Sequence, residues 1–172
     1  LVLTGGIPTD LNNASDARVM NIENITIASG TLNLANQTEG FSITGNAVNA
    51  VDITGGQGAD TITTGGNADF INNFVGADSV NTGAGTDTLQ LSSTPEDLNS
   101  ATDGQLQNVE NIRLTAGGVT LNLLNQSETF TSIIGSTGND IITATNQVDT
   151  ITGAGGNDSI NGGDGDDLIR DG

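Results

Sequence analysis

Aspartate recurs every nine residues in two separate runs, and few folds accept that spacing. The first run is Asp60, Asp69, Asp78 and Asp87; the second is Asp140, Asp149, Asp158 and Asp167. Two residues after each stands an apolar residue: Ile62, Ile71, Val80 and Leu89, then Ile142, Ile151, Ile160 and Ile169. A helix of 3.6 residues per turn would smear a nine-residue period around its surface. A glycine-rich turn followed by a short strand produces it directly, the turn presenting carboxylate and carbonyl oxygens and the strand one inward side chain. Hard oxygen ligands on a glycine-shaped loop suit Ca²⁺. Aspartates stacked at one rung, about 4.8 Å, would also repel strongly without a cation between them.

Composition narrows the class. The chain has 172 residues, a formal charge of −18, and only Arg18, Arg113 and Arg170 as basic residues. Its hydrophobic fraction of 34% is low for one thick core. A thin repeat structure folds on less, because each repeat needs only its neighbours. The acidity opposes nucleic acid and anionic lipid. The absence of Cys excludes a disulfide framework and fits a secreted protein stabilised by metal. No apolar run is long enough to span a membrane. No signal peptide is visible, and the chain stops inside repeat text, as expected of a piece of a longer protein. Without a cation, disorder of the two aspartate runs is the expected state.

A longer repeat encloses the short one. Residues 7–27, IPTDLNNASDARVMNIENITI, match 94–114, TPEDLNSATDGQLQNVENIRL, at an offset of 87; residues 31–37, TLNLANQ, match 120–126, TLNLLNQ, at an offset of 89. Two tandem units are therefore expected. The first covers 1–88, with an irregular part at 1–54 and nonapeptides at 55–90. The second covers 89–172, irregular at 91–134 and nonapeptide at 135–172. The irregular parts carry apolar pairs with polar spacers, as in Ile25 and Ile27, Leu32 and Leu34, or Val51 and Ile53, and these predict short solenoid strands. Thr94-Pro95-Glu96-Asp97 predicts a short helix over about 95–103, capped by Thr94, with a counterpart at about 8–17; the helix protrudes from or caps the solenoid edge. Glu23 and Glu110, in the paired NIENI and NVENI segments, are open as ligands or as turn and edge residues, the second being preferred. Phe70, Ile141 and Leu168 follow their aspartates at outward positions, either as scattered surface residues or as a lateral contact.

The blocks GGQGADTIT, TGGNADFIN, NFVGADSVN and TGAGTDTLQ, then GSTGNDIIT, ATNQVDTIT, GAGGNDSIN and GGDGDDLIR, closely resemble the RTX (repeats-in-toxin) nonapeptide G-G-x-G-x-D-x-U-x, where U is apolar. The resemblance implies an all-β, right-handed parallel β-roll or β-solenoid with short protruding helices. It implies Ca²⁺ between turns two repeats apart, two or three ions per run. Asp60 would pair with Asp78, Asp69 with Asp87, Asp140 with Asp158 and Asp149 with Asp167. NFVGAD and ATNQVD depart most from the motif, so Phe74, Val75, Thr145, Asn146 and Gln147 are expected to distort their turns. The resemblance also implies an extracellular or cell-surface location and type I secretion.

Three functions compete. An extracellular structural module is favoured, because arrays extend by duplication and the organisation is similar to bacterial surface-layer proteins and RTX adhesins or fibres; self-association into an array or fibre follows. A calcium-rigidified adhesin spacer is the near alternative. An accessory carbohydrate-binding module lacks the basic or aromatic stripe it would need, and nothing else in the sequence supports carbohydrate. Catalysis lacks the usual nucleophile–base pairs, since His, Cys and Lys are absent. Carboxylate-only or arginine-based chemistry is formally open, but the acids already have a simpler use.

Overall fold

The computed structural model describes residues 1–4 and 9–172, and side chains for 1–4 and 11–172. The expected first helix begins at Pro8, which lies outside the described residues. Nearly every element is a strand of two to four residues, and every strand pairing is parallel. In β6 (Thr61–Thr63) the pattern is exposed, buried, exposed, and most of the other strands follow the same rule. The rule comes from the strand's two-residue period, with one apolar side chain directed inward between hydroxyl or amide neighbours.

Successive strands alternate between two faces of a flattened coil. One face begins with a six-stranded sheet of β1 (Val2–Leu3), β2 (Asn24–Ile27), β4 (Ser42–Thr44), β6, β8 (Ser79–Asn81) and β10 (Leu106–Gln107). The same side continues as a separate three-stranded sheet of β12 (Thr120–Asn122), β14 (Ile141–Thr143) and β16 (Ser159–Asn161). The opposite face is a single eight-stranded sheet of β3 (Gly30–Asn33), β5 (Val51–Thr54), β7 (Phe70–Asn72), β9 (Thr88–Leu91), β11 (Asn111–Leu114), β13 (Ser132–Ile134), β15 (Thr150–Thr152) and β17 (Leu168–Arg170). This last sheet passes through both repeat units without interruption.

The inward column of the eight-stranded sheet reads Leu32, Ile53, Ile71, Leu89, Ile112, Ile133, Ile151 and Ile169, each in register with the next. Across from it run Ile25, Ile43, Ile62, Val80 and Leu106. Irregular and nonapeptide segments thus feed the same two columns, which form the thin core. Burying each such side chain is worth roughly 1.5–3 kcal/mol. Ile160 is only partly covered and Ile169 is 48% exposed, both in the last coils.

Nine half-coils separate β2 from its repeat counterpart β11, an odd number. The second unit is therefore turned over relative to the first: β2 lies on the six-stranded face and β11 on the eight-stranded one.

The helices close strand edges. α2 (Glu96–Ser100) lies against β12, where Asn99 Nδ2 donates to the Thr120 carbonyl at 3.0 Å and Asn99 Oδ1 accepts from Asn122 N–H at 2.7 Å. α1 (Thr9–Asn12) does the same to β3: Asn12 Nδ2 donates to the Thr31 carbonyl and its Oδ1 accepts from Asn33 N–H. An asparagine amide offers one donor and one acceptor side by side, as a strand's backbone does, so it blunts an edge. Of the two expected arrangements, protruding or capping, α2 takes the second, since Leu98 is fully buried. The Thr94 hydroxyl does not cap the helix; its oxygen accepts from Thr120 N–H, because the incoming strand offers an unpaired donor. The helix is also shorter than expected. Ala101 turns to ψ 147 and a separate 3₁₀ turn, Asp103–Gln105, follows.

Candidate metal centre

The eight aspartates stand in the turns at the two long edges of the coil, each just before its strand. Along each edge they form a ladder. Asp78 Oδ1 accepts from Asp60 N–H at 2.9 Å and Asp60 Oδ1 from Phe41 N–H at 2.7 Å. On the other edge Asp87 Oδ1 accepts from Asp69 N–H at 2.7 Å and Asp69 Oδ1 from Val51 N–H at 2.8 Å. In the second run Asp158 caps Asp140 N–H and Asp167 caps Asp149 N–H, both at 2.9 Å. Asp140 and Asp149 in turn cap Val119 and Phe130. All four expected pairs are thus neighbours on one edge, one coil apart.

The second carboxylate oxygen closes the aspartate's own turn in most cases. Asp60 Oδ2 accepts from Gly56 N–H at 2.6 Å, Asp69 from Gly65 and Asp78 from Val75. In Asp140 and Asp149 a hydroxyl joins the backbone donor: Ser136 Oγ at 2.8 Å and Thr145 Oγ1 at 2.7 Å. Asp87, Asp158 and Asp167 show no such bond. The Oδ2 atoms of Asp87 and Asp158 are shut away from water with no hydrogen-bond partner.

Both divergent turns keep their aspartate bonds, the first of them through an altered backbone. Phe74 swings into the core and is 1% exposed, while Asn73, Gly76 and Ala77 supply the left-handed residues. In the other turn Thr145 replaces a glycine and uses its hydroxyl to hold Asp149, as Ser136 holds Asp140.

Glycine at the start of the turn has a steric cause. A Cβ on Gly55 would lie 2.3 Å from Asp60 Oδ2, and one on Gly153 would lie 2.5 Å from Asp158 Oδ2. The carboxylate is cradled by a backbone that has no side chain at that point.

Six of the eight aspartates, Asp60, Asp69, Asp78, Asp87, Asp140 and Asp149, are buried. Burial raises the Asp78 carboxyl to about 6, with the charges of Asp60 and Asp97 adding to the effect. Burial also raises Asp60, and raises Asp87 with help from Asp69 and Glu110. Two like charges one rung apart cost roughly 3 kcal/mol at an effective dielectric of 20. That is at least as much as a hydrogen bond to a charged group returns, about 1.5–3 kcal/mol. The residues fit a divalent cation on this ground: hard oxygens, excess negative charge and two buried oxygens without partners. Among the described residues no three Asp or Glu side chains converge on one point. A calcium ion on these edges would take paired carboxylates, with turn carbonyls and water completing six to eight oxygens.

Several contributors escaped the sequence reading. The Ser136 and Thr145 hydroxyls sit at a motif position read as requiring glycine. Asp97, on α2, accepts from Gly76 N–H at 2.7 Å and so joins the edge of Asp78. Glu110 accepts from Asp87 N–H, the turn role preferred for it. A nine-residue count hides both acids, because Asp97 lies in the inserted helix and Glu110 follows it. Phe70 and Leu168 are exposed on the eight-stranded face with four strands between them, and Ile141 is exposed on the opposite face, so the three make no common patch.

The family model of the RTX calcium-binding nonapeptide repeat matches the chain in four copies, over residues 52–73 and 133–169. These segments hold six of the ladder aspartates, Asp60, Asp69, Asp140, Asp149, Asp158 and Asp167; Asp78 and Asp87 lie outside them in turns built the same way. No curated protein and no solved structure matches the chain. The nonapeptide repeats are calcium-binding motifs, and set in this parallel solenoid they fit an RTX β-roll, a calcium-binding structural module.

Proposed function

We propose that this module serves outside the cell in a bacterial surface-layer or fibre-forming protein, folding and then associating with like chains as Ca²⁺ binds. The ladder carries the reading: carboxylates stacked one rung apart and mostly buried, with Asp87 Oδ2 and Asp158 Oδ2 left unpartnered. Such an edge is unfavourable without a cation. Binding free energy therefore becomes folding free energy. Paired carboxylates and carbonyls suit the affinity of extracellular modules, roughly 10⁻⁴–10⁻³ M, so the chain folds where calcium is plentiful. Neutralising part of the charge of −18 then lets chains approach one another.

Light scattering and negative-stain microscopy across a calcium series test the assembly step. Ordered sheets or filaments that appear with calcium and dissolve in chelator are expected. A folded, calcium-loaded chain that stays monomeric at high concentration would point instead to a passive adhesin spacer.

A further inference from the structure

Beyond Asp87 the nonapeptide spacing stops, yet the ladder does not. The next turn over Asp87 on the eight-stranded edge comes twenty-three residues later, at Asn108-Val109-Glu110-Asn111, because α2 and the 3₁₀ turn intervene. Asn108 takes the left-handed conformation at φ 59, and Val109 is buried. This brings Glu110 Oε2 to 2.8 Å from Asp87 N–H. It is the bond that Asp87 makes to Asp69 and Asp69 makes to Val51 on the coils before it. Glu110 is thus the next rung, supplied by a segment outside the matched repeats.

Capping one N–H needs only a neutral oxygen, which Gln or Asn would provide. The chain instead sets a second carboxylate beside Asp87, which is fully buried and whose Oδ2 has no partner. The neighbouring Thr82 hydroxyl lies near enough to lower the Asp87 carboxyl, against the larger effect of burial, but its hydrogen bond goes to the Asn108 carbonyl. Charge, burial and an orphaned oxygen meet at one junction.

We infer that Glu110 and Asp87 together hold a Ca²⁺ ion where the first nonapeptide run meets the second unit. The site rests on the calcium reading above but goes beyond the repeats that carry it. It ties the inserted helix segment to the run, so the two tandem units are joined by metal as well as by the shared sheet.

The test is calcium stoichiometry by calorimetry and elemental analysis on the full chain, comparing wild type with Glu110→Gln, Asp87→Asn and the double variant. Gln and Asn keep the N–H caps, which separates a ligand from a purely structural acceptor. Both single variants should lose the junction ion, or weaken it at least tenfold; Asp87→Asn also disturbs the Asp69 pair, so the double variant should lose no more than Asp87→Asn does. Wild-type count and affinity in Glu110→Gln overturn the inference, and so do single losses that add in the double variant. If Glu110→Gln proves too unstable to measure, Asp87→Asn is compared with Asp69→Asn: one ion more lost from Asp87→Asn than from Asp69→Asn supports the site, and equal losses overturn it. A wild-type chain that binds no calcium would overturn the underlying reading as well, an outcome distinct from the others.

Discussion

At the scale of single residues, the turn is organised around what each carboxylate oxygen touches. Oδ1 faces the previous coil, Oδ2 in most cases faces its own turn, and where the turn begins with glycine, as at Gly55 and Gly153, the missing side chain leaves room for the carboxylate. A methyl group on Gly153 would push into Asp158 Oδ2, one of the two unpartnered oxygens. Gly153→Ala is expected to lower calcium affinity and to destabilise the loaded chain by about 1–3 kcal/mol, the usual cost of overpacking. Calorimetry with thermal melts reads both, and an unchanged affinity would refute the cradle. Protons give a second prediction. The folded Asp78 carboxyl sits at about 6 against an ordinary 3.8, with Asp60 and Asp87 shifted the same way. A raised carboxyl binds protons better when folded. In chelator, that contribution is therefore full below about pH 4 and is lost as pH rises through about 6. The metal-free chain should gain β signal on acidification between about pH 7 and about pH 4. Calcium affinity should fall over the same range, because protons and the ion compete for the same oxygens. A metal-free chain that loses structure on acidification would contradict this.

Among the elements, strands were legible wherever the two-residue alternation fell inside the nine-residue period. Ile62, Ile71, Val80, Leu89, Ile142 and Ile151 are all buried at the positions that spacing gives them. The irregular strands were legible as short apolar pairs, though not their register, which depends on how the coil closes. Helix chemistry was read less well. Thr94 and Pro95 resemble a helix start, but the free backbone of β12 competes for the threonine oxygen and obtains it. Nothing local in the sequence marked Asn12 and Asn99 as edge caps, since their partners lie about twenty residues further on. Their role is checkable. Asn99→Ala should leave an Asn122 donor and a Thr120 acceptor to water, at a cost of about 1–2 kcal/mol. In a chain of this size that is a fall of roughly 2–8 °C in Tm. Asn99→Asp should be worse than Asn99→Gln, since a carboxylate cannot donate to the Thr120 carbonyl. Equal melting of all variants and wild type would remove the edge-cap account.

For the molecule as a whole, period and charge together define a thin parallel solenoid whose edges are acidic ladders. The eight aspartates were legible as two edge ladders because their spacing equals one half-coil. Glu110 and Asp97 were not, because an inserted helix shifts them out of that count. The inversion of one unit relative to the other was hidden for a similar reason: an offset of 87 residues does not reveal an odd number of half-coils. The central claim is that cations make these stacked edges compatible with folding. The most direct measurement follows the far-ultraviolet circular dichroism and hydrodynamic radius of the same sample in chelator and through a calcium titration at neutral pH. The account predicts an expanded chain with weak β signal in chelator, and a cooperative change to a compact β form at millimolar calcium or below. An identical spectrum and radius in chelator and in calcium would contradict it.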